Sequence, residues 1–270
     1  MQQPAELLTQ FAVIFVFLSV VGYLLPAGLF HWLYLSSSKH EADRIQARRA
    51  RPKDIRREVR ESVISLVLFS LYAVGLWQLV EGGYSAVYYV WDAYPLWWLP
   101  VSVLAAAILH DTYFYWSHRL MHLPLFYRHF HAGHHRSVTP TPWAMLCFQP
   151  LETVPQFLFF ALLVLYVPMH PAALLVYFLL DSLFNAAGHC GYEVVPRTLG
   201  RAGPTQYLNA VAHHDLHHSR FNYNFSQYFN VWDRLMGTYL DKEVAYENDP
   251  RPAAQGITQT SEAGAPVRVP

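Results

Sequence analysis

Three histidine clusters stand out in the chain: His118-Arg-Leu-Met-His122, His131-Ala-Gly-His134-His135 and His214-Asp-Leu-His217-His218. Their HxxxH, HxxHH and HxxHH spacings supply eight imidazoles. Residues three and four apart share one face of a helix, so helical clusters would each aim their rings at one point. Eight neutral imidazoles exceed what one ion takes. They suit two transition-metal ions, each with a position left open for a small molecule. A lone histidine is ordinarily a surface or core residue, and His31, His40 and His170 read that way. A metal-buffering tract is low in complexity and unstructured, whereas these clusters are separate, spaced and set in apolar, aromatic sequence.

Other polar residues extend the set. Asp181, Asn185 and His189 recur at i, i+4 and i+8 along an apolar stretch. His189 is expected to join the metal ligands. Asn185 either holds a metal-bound water or makes an interhelical hydrogen bond of the kind common in membranes. Asp111 precedes His118 by seven residues, on nearly the same helical face; an acid there either orients a ligand or caps polar backbone. Glu152 and Asp233 are candidate acceptors for imidazole N–H groups, with packing or surface pairing as the alternative. His110 reads as a hydrogen-bonded core residue, and His129 and His213 fall outside the cluster spacing. Cys147 and Cys190 are far apart and form no CxxC, so neither a disulfide nor a zinc ribbon is expected. All-nitrogen ligation suits zinc, copper, nickel or iron. Two irons in an open site at the mouth of an apolar bundle would activate dioxygen against a lipid C–H bond.

The elements that must position these residues are membrane helices. With 53% hydrophobic and only 14% charged residues, the 270-residue chain reads as one membrane-embedded domain, not several soluble ones. That domain is placed at 1–246, with the histidine-rich catalytic region at 110–240 and a disordered tail at 247–270. Five apolar segments are expected at 11–30, 62–80, 96–116, 153–167 and 172–183. The first reads as a retained helix and not a signal peptide; the last two, joined by a tight turn, either cross or re-enter. The fold class expected is therefore all-α: an integral membrane bundle of about four to five segments, with a cytoplasmic helical cap holding the dimetal site. A net charge of zero points to no nucleic-acid partner. The stretch 39–60 carries Arg44, Arg48, Arg49, Arg51, Lys53, Arg56, Arg57 and Arg60, which places it on the cytoplasmic side, as a loop or as a surface helix. The stretch 81–98 has no Lys or Arg and is rich in Tyr and Trp, an aromatic belt for the opposite face. Parity then puts all three clusters on the cytoplasmic face.

The clusters and their flanks resemble the fatty acid hydroxylase/sterol desaturase superfamily of membrane di-iron oxidases, over roughly residues 100–240. Asp111-Thr-Tyr-Phe-Tyr-Trp116, Thr139-Pro-Thr-Pro-Trp143, Pro150-Leu-Glu152 and Trp232-Asp-Arg-Leu-Met-Gly-Thr238 are most similar to sterol C5-desaturases. Asn185 and His189 match an NxxxH or HxxxH position of such oxidases. The resemblance implies two iron ions, dioxygen as co-substrate, and desaturation or hydroxylation of a sterol-like or fatty-acyl lipid. Gln149 departs from it, standing where sterol desaturases often have His. No haem-binding His-Pro-Gly-Gly occurs, so electrons are expected from a separate donor, cytochrome b5-like or ferredoxin. The basic stretch, Arg119, Arg128 and Arg136 would dock an acidic carrier or hold lipid headgroups. Two rival readings are a divalent-metal transporter or buffer, and a dizinc membrane hydrolase with Glu152 as base.

Overall fold

Proline and glycine punctuate the helices. In the computed structural model, which describes residues 3–36, 39–46, 48–194 and 203–241, helix α1 runs Pro4–Leu35. Its hydrogen-bond ladder widens to π turns over Leu18–Leu24, just ahead of Pro26, whose missing N–H would interrupt it anyway. Helix α2, Pro52–Glu81, opens with Pro52 in its first turn and an Arg51–Asp54 ion pair at 2.8 Å. It ends at Gly82 and Gly83, the latter at φ +80°. Helix α3 is Trp98–Met121, and the short α4, Pro124–Phe130, starts again at a proline. Helix α5, Thr153–Tyr166, stops where Val167 turns extended before Pro168. Helix α6, Pro171–Gly188, begins with the His170 imidazole accepting the Ala172 N–H at 3.1 Å. Two short helices come after it, α7 at Val211–Arg220 and α8 at Val231–Leu235. Among the described residues no strand forms, only the isolated bridges Arg44–Tyr192 and Leu208–Phe229.

Helix α1 packs along α2, α2 along α5, and α3 between α5 and α6; α7 sits on α6 and α8 on α3. Ala106, Phe159, Leu163, Met169, Ala173 and Tyr177 form the core where α3, α5 and α6 meet. Much of the outer surface is apolar, with Leu8, Val13, Leu25, Leu71, Leu104, Val176 and Phe184 exposed. That exterior suits hydrocarbon, since the backbone bonds are satisfied within each helix.

Three of the helices, α1, α2 and α6, are long and apolar enough to cross a membrane. The expected third span, α3, has the length but not the apolarity, because His110 and Asp111 interrupt it. The fourth, α5, has 14 residues and is short for a full crossing. The basic stretch is also shorter as a loop than expected: Lys53, Arg56, Arg57 and Arg60 already belong to α2. The tail from 247 lies outside the described residues.

Candidate metal centre

The nine histidines converge in two groups where α3, α6 and α7 meet. His118, His122, His131, His135 and His217 form one group, and His134, His189, His214 and His218 the other. Within each, one ring nitrogen per residue lies within 4.8 Å of the rest. His118 sits in the last turn of α3 and His122 caps it. His189 caps α6, and α7 presents His214, His217 and His218. The middle cluster is not on an α-helix, contrary to the helical-face expectation: His131 ends α4, and His134 and His135 begin a 3-10 turn. Gly133 makes that turn possible. Its N–H donates to Gln149 Oε1 at 2.9 Å, and a Cβ on it would stand 2.5 Å from Gln149 Cγ. Gln149 therefore clamps the second cluster.

For five of the nine imidazoles, ring orientation is set by a partner behind the ring, whereas the buried Nδ1 atoms of His135 and His218 meet none among the described residues. The Nδ1 of His118 faces Phe225 O at 2.8 Å, His217 faces Tyr223 O at 2.7 Å, His189 faces Asn185 O at 2.7 Å and His134 faces Cys147 O at 3.3 Å. His131 Nδ1 faces the buried Glu152 Oε1 at 2.5 Å. A carbonyl only accepts, so each such Nδ1 carries the proton and each Nε2 a lone pair. The Nε2 atoms then face one another: His118–His131 at 2.8 Å, His122–His135 and His135–His217 at 3.1 Å. In the second group His134–His189 stand at 3.4 Å, His189–His214 at 3.1 Å and His214–His218 at 3.2 Å.

Two proton-free nitrogens cannot hydrogen-bond to each other. Burial holds His131, His134 and His217 well below the ordinary histidine range, so they stay neutral. Lone pairs aimed together at these distances are repulsive unless a cation lies between them. Metal–nitrogen bonds of about 2.0–2.1 Å bring neighbouring ligand nitrogens to about 3 Å apart, so the donor set fits a metal ion in each group.

The two remaining acids act one step back. Asp111 Oδ1 accepts the backbone N–H groups of Gln227, Tyr228 and Phe229 at 3.1, 2.7 and 3.1 Å. Of its two expected roles it takes the backbone-capping one. Asp233 does not meet an imidazole, contrary to expectation. It accepts the N–H groups of Phe225 and Ser226 at 2.8 and 3.0 Å and the Thr238 hydroxyl at 2.8 Å. Both acids thus tie down the strap 221–230, which supplies the Tyr223 and Phe225 carbonyls. The strap starts in strained backbone, with Phe221 at φ +62° and Asn224 at φ +56°. It also lays the Phe225 ring against His118, His122 and His217.

The other histidines stand apart. His213 caps α7 by accepting the Ala210 N–H at 3.0 Å, and His31 accepts from the Trp143 indole. His110 is buried in a hydrogen-bonded network with Tyr177 and Tyr228. His129 is exposed.

Sequence reasoning missed the carbonyl partners, since every residue carries a carbonyl and the sequence holds no signal for one. It also missed Glu58, fully buried and bonded by Ser137 and Thr141, which fastens the segment after the second cluster to α2. Gln46 does the same from the basic stretch, reaching Pro140 O and Asp215 at 3.0 Å each.

An apolar cavity of about 240 Å³ reaches the imidazoles from within the bundle. Leu18, Phe69, Met145, Phe157 and Phe178 line it, and His118, His134, His189 and Asn185 close one end.

The described residues thus form an all-helical bundle with an apolar exterior and paired histidine sites beside an apolar cavity. The model of the fatty acid hydroxylase family matches residues 103–238, and the chain belongs to that family. Among its relatives, human lathosterol oxidase is 33% identical over 187 residues, 68% of this chain and 61% of the human protein. Mouse lathosterol oxidase is 34% identical over 207 residues, 76% of this chain and 68% of its own length. A Delta(7)-sterol 5(6)-desaturase of Leptosphaeria maculans is 28% identical over 236 residues, 87% of this chain and 62% of its own. The chain thus spans about three fifths to two thirds of the length of these relatives. No solved structure matches it.

Proposed function

We propose that the chain is a membrane-bound, dioxygen-dependent lipid oxidoreductase with two iron ions, which desaturates or hydroxylates a sterol-like or fatty-acyl lipid. The observation that carries this reading is the pairing of proton-free Nε2 atoms in two groups beside an apolar cavity. His118, His122, His131, His135 and His217 would hold one ion, and His134, His189, His214 and His218 the other. Bound iron would supply, with dioxygen, the oxidising power to remove hydrogen from an unactivated C–H bond.

The chain's own residues do the rest. The carbonyls and Glu152 hold His118, His131, His134, His189 and His217 in the tautomer that leaves Nε2 free for a metal. The cavity walls exclude water and hold an apolar substrate beside the imidazoles. Desaturation and hydroxylation share the first hydrogen abstraction and differ only after it, so both stay within the proposal. Asn185 lines the cavity next to His189 and suits a water held there.

Electrons come from a separate donor protein, cytochrome b5-like or ferredoxin. Arg128 is exposed near the second cluster and suits an acidic carrier. Arg136 is taken up by Glu61 at 2.6 Å, and Arg119 donates to Tyr115. We place the histidine end on the cytoplasmic side, because the basic stretch docks there through Gln46 and Arg57. The hydrolase rival loses its base, since Glu152 is wholly buried and committed to His131. The transporter rival needs ligands along a path, and these are gathered in one place.

Membranes containing the iron-replete protein, a reductase and its carrier should consume dioxygen in step with oxidation of lathosterol or of a fatty-acyl lipid. Turnover of none of these lipids under those conditions would sink the proposal.

A further inference from the structure

Two turns into the bundle from the imidazoles, the cavity wall carries ionisable side chains that metal binding does not use. Asp181 on α6 and His110 on α3 both line it and are both largely buried. Asp181 is eight residues before His189 and His110 eight before His118, so each lies about 12 Å along its helix from a histidine of the site. Tyr228 donates to Asp181 Oδ1 at 2.5 Å, and its oxygen stands 2.9 Å from His110 Nδ1. Tyr177 stands 2.6 Å from the same nitrogen. These bonds engage one oxygen of Asp181 and one nitrogen of His110. Asp181 Oδ2 and His110 Nε2 take no protein hydrogen bond among the described residues, and neither is sealed from the cavity. An acid with an open oxygen inside an apolar bundle is costly to keep without a partner.

We propose that Asp181, held in place by Tyr228 and His110, binds the hydroxyl group of the lipid substrate, and that the substrate is a compact ring alcohol of the sterol type. This rests on the lipid-oxidase reading above. A hydroxyl donates to an acceptor, and Asp181 Oδ2 accepts its proton; His110 donates its Nδ1–H to the Tyr228 oxygen, whose own proton is held by Asp181 Oδ1, and so fixes the acid in place. The depth sets the substrate's shape. Two helical turns have to hold both the approach of the reacting carbon to the metals and the distance from that carbon to the hydroxyl. A ring alcohol, with its hydroxyl a few bonds from the reacting C–H, fits that span. A fatty-acyl chain carries its polar end many carbons away, and a free carboxylate would be repelled by Asp181.

The test is a cycle between substrate and protein. Full-length, metal-loaded protein in nanodiscs is given lathosterol or its 3-deoxy analogue, and equilibrium binding and oxidation are both measured. Wild type should bind lathosterol about tenfold or more tightly than the analogue, the size of one hydrogen bond to a charged group. Asp181→Leu should lose that preference while binding the analogue as wild type does. Asp181→Asn, which keeps the Tyr228 bond and the packing, should lose part of it. A merely structural network would weaken both ligands alike, and that result overturns the proposal. So does equal binding of the two ligands by wild type, or binding of neither. If neither sterol binds but the same sample oxidises a fatty-acyl lipid, the hydroxyl site is wrong and the lipid-oxidase reading stands.

Discussion

The carboxylate of Glu152 meets the imidazole of His131 and is wholly buried. Glu152→Gln keeps its shape but removes the negative charge behind His131. It should weaken metal affinity by about 10–100-fold, as losing such a partner typically does, and a chelator competition would measure this. Unchanged affinity would make Glu152 a packing residue. The buried rings also set a pH dependence. His131, His134 and His217 have folded-state values well below the 6.5 of an exposed histidine. The unfolded chain therefore takes up protons first as pH falls. Stability is fully present above about pH 6.5 and declines below it. The melting temperature of metal-free protein should stay level from pH 8 to about 6.5 and drop toward pH 5; a rise on acidification would contradict the neutral-ring assignment.

At the scale of elements, the site depends on two irregular segments: the turn at 131–136 and the strap at 221–230. Gly133→Ala would push a Cβ into Gln149 and should cost about 1–3 kcal/mol, read from thermal unfolding. Adding Gln149→Ala should recover part of that loss, because the clash is removed although the hydrogen bond goes too. If Gly133→Ala is silent, the clamp is not tight. These segments also mark how far the sequence could be read. The nine imidazoles that the structure gathers into two groups could be picked out in the sequence, because residues that could hold a metal stand out by type and spacing. The five long helices were legible from hydropathy as apolar segments, but α1 and α2 begin seven and ten residues earlier than their apolar stretches, where polar and basic residues extend them. The turn was not: HxxHH fits a helix as well as a 3-10 turn, and only Gly133 against Gln149 decides. Asp233 was legible as a buried acid but not in its partner, because the Phe225 and Ser226 amides that bind it belong to an irregular strap without periodicity. The apolarity of α3 was read too high, since His110 and Asp111 lower its hydropathy; what the sequence did not show is the partners that bury them, Tyr177, Tyr228 and the 227–229 amides.

For the whole molecule, orientation is decided by where the charge lies. The basic stretch and the histidine end share one side of the bundle, and the aromatic 81–98 stretch packs at the α5–α6 turn. In a background without Cys147 and Cys190, Tyr84→Cys should react with a membrane-impermeant thiol reagent on intact cells, and Arg128→Cys should not. Both native positions are exposed. The reverse pattern would put the histidine sites outside and away from cytoplasmic electron carriers. The central claim is that two irons sit in the two histidine groups and carry the oxidation. It is tested most directly by metal analysis of purified protein whose lipid oxidation is measured on the same sample. About two irons per chain are expected from the two ligand groups, with activity lost on chelation and restored by iron but not by zinc. Full activity with a single ion, or with zinc alone, would contradict the account.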